Sequence, residues 1–282
     1  MKPPTITPLL VAELLVDGER WPVYVHVIDH PDGRVLVDTG MTELHPAVAD
    51  FDPRLVPLSA QAFDLANVDV VVNTHLHFDH CGGNHLFAGK PIYVQRQELD
   101  DARREDDYTI RKWVEAPGVR YEPVDGELEL LPGLRLVPAP GHARGLQVVV
   151  VETGGRPVVV GGDVAVRLGE LDEPGTEGQQ RVRALEPELV WLANPGGHNE
   201  SSPRRTRFAR GVRVAVRQCS RMTPEIRTWF ALQLGSRVCS GARSRSKLWN
   251  LVHTPNQVPG TWPGRVFGNV TRRNGAGRAT AG

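Results

Sequence analysis

"VDVVVNTHLHFDHCGGNHLF", residues 68–87, runs from a block of β-branched residues straight into His75, His77, Asp79 and His80. A continuous Val-rich run is the pattern of a strand covered on both faces, and it predicts a buried strand over 68–74. In extended backbone, residues two apart point the same way, so His75 and His77 can approach one ion from one side. Asp79 and His80 follow at the turn into "CGGN" and can face a second ion. Imidazole nitrogen and carboxylate oxygen are ordinary zinc ligands. A lone histidine reads better as a surface or core residue. His-x-His-x-Asp-His after a β-branched strand names both ligand type and context, and points to metal.

The flanking sequence alternates strands and helices. "WPVYVHVIDHPDGRVLVDTGM" predicts strands over 21–29 and 34–38 around a Pro-Asp-Gly turn, with Asp38–Gly40 closing the second. A helix is expected over 59–69, and a strand followed by a helix over 91–105. Further strands are expected over 134–138, 146–152 and 157–161, then a helix from 177 and a last strand over 189–193. No internal repeat is present. His142 follows a strand and a Pro-Gly turn, and Asp163 follows a β-branched strand and a Gly-Gly pair. Both fall at strand ends, where α/β sheets place their sites, so with the quartet present both join the candidate ligands. Asp38 has two readings. It is a turn former or helix N-cap, or it is a carboxylate that accepts the free N–H of a ligating imidazole and fixes its orientation. Cys81 reads as a small buried thiol. His85 has a weak claim on the site, while His26, His30 and His45 lie outside any spaced cluster.

"THLHFDH" resembles the signature of the metallo-β-lactamase superfamily, and "HFDHCGGN" is most similar to its N-acyl-homoserine lactonase-like, quorum-quenching branch. The resemblance extends over residues 20–193. It includes "VPAPGHARGLQVVVV", which would bring a third histidine as His142, and "VVVGGDV", which would bring a metal-bridging aspartate as Asp163. It implies an αββα sandwich and two zinc ions per chain, other divalent metals being compatible. His75, His77 and His142 would hold one ion and Asp79 and His80 the other. The implied activity is opening of lactones or related esters by a hydroxide that the ion pair activates, with Asp79 and Asp163 in catalytic roles.

Two positions depart from the pattern. The branch places its last histidine directly after a stretch like "PELVWLA", where this chain has Asn194. His198, four residues on, either reaches the site as the last ligand or is a loop histidine. Lactonases of this type often carry a tyrosine three residues after the bridging aspartate, where this chain has Val166. Thioester, β-lactam or phosphodiester hydrolysis therefore stays open, as does an inactive remnant lacking the last ligand.

Composition bounds the rest. The chain has 282 residues, 40% hydrophobic and 23% charged, as in an ordinary globular protein. No apolar run approaches the ~20 residues that cross a bilayer, so no membrane partner is expected. Glu13 interrupts the apolar N-terminal stretch, which argues against a signal peptide. Three distant cysteines fit a cytoplasmic location. Residues 199–282 hold 16 of the 33 bases and only two of the 33 acids, Glu200 and Glu225. Periodicity also fades there. Residues 1–198 are expected to form the catalytic domain and 199–282 a basic, poorly ordered region, either a frameshifted sequence or a divergent tail or added arm. Bases in that region could track phosphates, but the acidic domain carrying the site would repel nucleic acid. A small-molecule lactone or ester is the expected partner. Oligomeric state has no signature in the sequence.

Overall fold

In the computed structural model, residues 3–195 are described except Leu168 and Pro174, together with a short strand, Arg213–Val214. Among the described residues, thirteen strands form two sheets. The first holds β1 (Thr5–Val16), β2 (Glu19–His30), β3 (Gly33–Val37), β4 (Arg54–Leu55), β5 (Val70–Val72), β6 (Pro91–Gln95) and β7 (Arg120–Val124), in the order β4-β1-β2-β3-β5-β6-β7. The second holds β8 (Leu128–Leu131), β9 (Leu134–Pro138), β10 (Gln147–Val151), β11 (Val158–Gly162), β12 (Leu189–Leu192) and β13 (Arg213–Val214), in the order β13-β12-β11-β10-β9-β8.

Strand periodicity explains the layers. Along β2, Val23, Val25 and Val27 join one core cluster while Ile28, on the opposite face, joins another. The interior cluster sets Val35, Val37 and Val72 of the first sheet against Leu134, Leu136, Val149, Val151 and Val160 of the second. Each such side chain contributes roughly 1.5–3 kcal/mol on full burial. The outer faces are covered by helices. Leu99 and Ala102 of α2 (Arg96–Arg104) and Val114 of α3 (Arg111–Val114) pack with Val94. Val182 of α4 (Glu177–Ala184) packs on Val148, Val150, Val159 and Val190. The architecture is the expected αββα sandwich.

Most expected elements are present with boundaries shifted by a residue or two. The exception is 59–69, expected as a helix and found as two single 3₁₀ turns, Leu58–Ala60 and Leu65–Asn67. The Asp64 carboxylate accepts from Ala66 N and the Gln61 amide donates to Leu10 O, so side chains bond to backbone in competition with the helical ladder. The apolar N-terminal stretch is β1, paired antiparallel with β2 along its length. Among the described residues no helix is long and apolar enough to cross a membrane. His198 and residues 199–282, apart from the strand β13, lie outside the described residues.

Candidate metal centre

β5 runs parallel to both neighbours, and its C-terminal end opens directly into the quartet. His75 and His77 sit on the extended segment after the strand, and Asp79 and His80 lie in α1 (Phe78–Cys81), a single helical turn. His75 Nε2 is 3.1 Å from His77 Nδ1, and His77 Nδ1 is 3.0 Å from His142 Nε2. His142 arrives from the β9–β10 connection of the other sheet. Asp163 follows β11 directly, and its Oδ2 lies 3.3 Å from His80 Nε2 and 3.6 Å from His142 Nε2. Two donor groups result: His75, His77 and His142, and His75, His80 and Asp163, each with ligand atoms within 4.8 Å of one another.

Asp38 braces this arrangement. Its backbone is left-handed, with φ 61°, a conformation aspartate tolerates better than most residues. Its carboxylate accepts from Thr74 N at 2.7 Å and Thr74 Oγ1 at 2.8 Å, and pairs with His80 Nδ1 at 2.9 Å. The turn geometry and the imidazole contact thus occur together in one residue. A proton on Nδ1, held by Asp38, leaves Nε2 as the atom aimed at Asp79 and Asp163.

Electrostatics separate the histidines. Burial, then the charge of His80, holds His77 down to about 3; burial, then His80, His77 and His142, puts His75 well below its ordinary value. Burial alone would lower His80 as well, but Asp79, Asp163 and Asp38 overcome it and hold the ring well above the usual range. His75 and His77 therefore offer lone pairs at neutral pH, and the carboxylates around His80 favour positive charge beside it. His80 Nε2 and Asp163 Oδ1 are buried without a hydrogen-bond partner. Such orphaned atoms are costly in a protein interior, and a cation between them would satisfy both. The donor set and its orphaned atoms fit divalent metal.

The remaining candidates fall elsewhere. Cys81 is fully buried, its Sγ 3.3 Å from Leu76 O, and burial raises its thiol above the usual range. His85 is exposed, His45 caps a 3₁₀ turn, and His30 Nε2 lies 3.0 Å from Pro132 O. Two residues with no signal in the sequence adjoin the site. Glu98 of α2 accepts from Leu76 N, between the first two histidines, at 2.8 Å and from Tyr108 Oη at 2.5 Å. The Tyr108 ring lies 5.0 Å from that of His77. Burial pushes Glu98 up to about 7. Gly145, three residues after His142, lies so close to Glu98 that a Cβ there would meet its backbone nitrogen. Glu98 therefore links the two loops that carry His75, His77 and His142.

Two sheets, flanking helices and a His/Asp cluster at one edge define a metal-centred αββα protein. The sequence profile of the metallo-beta-lactamase superfamily matches residues 18–210, and the chain belongs to that family. An N-acyl homoserine lactonase of Bacillus cereus is 30% identical over 149 residues, which is 47% of this chain and 59% of that protein. The N-acyl homoserine lactonase AttM of Rhizobium johnstonii is 29% identical over 184 residues, 56% of this chain and 70% of that one. The match thus spans less than two thirds of the Bacillus relative. A solved structure of a quorum-quenching N-acyl homoserine lactone lactonase superposes with a TM-score of 0.57 at 25% identity, covering 68% of this chain and 92% of the other.

Proposed function

We propose that the protein is a metal-dependent hydrolase that opens lactones, with N-acyl homoserine lactones as the first substrate class. One observation carries this reading. Asp163 Oδ2 stands within 3.6 Å of both His142 Nε2 and His80 Nε2, so one carboxylate adjoins both donor groups. Curated relatives at about 30% identity are N-acyl homoserine lactonases, which supports the substrate class.

Divalent ions, zinc by donor type, would be held by His75, His77 and His142 and by Asp79 and His80 with Asp163 between them; they would polarise a carbonyl and bring the pKa of water from 15.7 toward ~7. The chain's own residues do the rest. Asp38 keeps the His80 ring aimed. One oxygen of Asp79, Oδ2, faces the Asn194 amide at 2.6 Å. The other, Oδ1, takes the proton of the attacking water and returns it to the ring oxygen as the acyl C–O bond breaks, so lactone and water become a hydroxy acid. The position three residues after Asp163 is Val166, which is buried and brings no hydroxyl to the carbonyl.

Metal analysis of the purified full chain together with a ring-opening assay over a lactone panel tests the proposal. About two ions per chain and turnover of acyl homoserine lactones are expected. A metal-free protein, or one that opens no lactone when loaded, overturns it.

A further inference from the structure

Where the lactonase pattern leads one to expect a histidine, directly after β12, stands Asn194. It is 8% exposed, and its Oδ1 is buried with no hydrogen-bond partner. Its Nδ2 donates to Asp79 Oδ2 at 2.6 Å. Asp79 Oδ2 is in turn 3.5 Å from His80 Nε2, which is 3.3 Å from Asp163 Oδ2. Six buried side-chain atoms among the described residues lack a partner, and three of them belong to His80, Asp163 and Asn194. An orphaned amide oxygen costs about 1–3 kcal/mol, and the amide that carries it abuts Asp79, one of the groups suited to a cation.

We propose that Asn194 is a ligand of the second cation through its amide oxygen. The assignment rests on the metal reading above. A half-turn about χ2 exchanges the oxygen and nitrogen of an amide, and the two differ little in shape. It would set Oδ1 where Nδ2 now stands, 2.6 Å from Asp79 Oδ2, and the pair would open to the ~3.4 Å that separates two tetrahedral zinc ligands with bonds of about 2.0–2.2 Å. The two positions are then chemically unlike. The first has three imidazoles; the second has one imidazole, two carboxylates and an amide oxygen. Imidazole suits zinc, whereas carboxylate and carbonyl oxygen suit manganese and other hard ions. The second position therefore binds zinc more weakly than the first and discriminates less between zinc and manganese.

The test is titration of metal-stripped full-length protein with Zn²⁺ and, separately, Mn²⁺, followed by calorimetry and manganese electron paramagnetic resonance. Wild type is expected to take one tight and one weaker zinc. N194H should tighten the second zinc by at least about tenfold with little gain for manganese, a change misfolding cannot produce. N194A should weaken the second ion at least about tenfold for both metals, and H198A should leave both positions intact. Unchanged second-ion binding in N194A, unchanged zinc affinity in N194H, or loss of the second ion in H198A overturns this assignment alone. A wild-type protein that binds neither metal overturns the metal reading and this assignment together.

Discussion

The two sheets reach the candidate metal centre in different ways. The first sheet delivers His75, His77, Asp79 and His80 within one turn of chain after β5, fixed by short-range geometry and by Asp38 at the neighbouring strand end. The second delivers His142, Asp163 and Asn194 singly, from the ends of β9, β11 and β12. Donors of the first kind hold their mutual positions through local backbone. Donors of the second kind hold theirs only as well as each loop packs on the opposite half. Buttressing contacts therefore gather where the second sheet's loops meet the first: Gly145 on Glu98, the Arg144 guanidinium on Asp101, and Gln147 N on Thr74 O.

The largest expected effect separates a shared donor from an unshared one. Asp163 Oδ2 adjoins both donor groups, whereas His142 belongs to one. Asp163→Ala should empty both positions and lower kcat/KM by about 10³-fold or more, about 4 kcal/mol of transition-state stabilisation. His142→Ala should retain one ion. Equal metal loss in the two variants would show that Asp163 serves no more positions than His142 does. The next effect concerns the contact between them. Gly162 has φ +54°, and a Cβ there would run into the Thr74 side chain beside His75. Gly162→Ala should cost about 4 kcal/mol, from overpacking and left-handed strain together. A calorimetric melting temperature lowered by about 10 °C is the expected reading, and an unshifted one would show that the sheets are not pressed together there.

Glu98 gives a pH-dependent measure of the same join. Its folded pKa of about 7 lies above the carboxylate's unfolded value of 4.5. The folded chain keeps a proton that the unfolded chain releases, so stability is highest below about 4.5 and falls as pH rises toward 7. The difference amounts to about 3 kcal/mol at most. Glu98→Gln should flatten this slope in urea midpoints compared at pH 5 and 7.5; an unchanged slope would assign it to other groups. The smallest effect is at the second sheet's outer helix. The Thr176 hydroxyl accepts from Gln179 N and the Gln179 side chain answers to Thr176 N, forming a capping box. Thr176→Ala should remove about 1 kcal/mol in chemical denaturation and leave metal content unchanged.

What could be read from the sequence follows the same division. The quartet is legible because its members are sequence neighbours on a recognisable strand end, so spacing translates into direction. His142 and Asp163 are legible only through the glycine-rich turns that precede them. Glu98 left no trace, since its partners, Leu76 N and Tyr108, are fixed by tertiary packing and its spacing matches no pattern. Residues 59–69 depart from the helix that their composition suits because Asp64 and Gln61 bond to backbone instead. His198 lies outside the described residues, and the position expected to hold a histidine is filled by an amide that touches Asp79.

The order in which the chain supplies its donors has a consequence for how such a protein changes over generations. The three-imidazole group is finished at residue 142 and the carboxylate beside it at residue 163. Among the described residues beyond β12, Asn194 is the one that touches a candidate donor, and it does so at Asp79, in the oxygen-rich corner. A substitution at Asn194 can thus alter the oxygen-rich corner while the three imidazoles keep their places, so inheritance has one position at which to vary metal preference without disturbing the other.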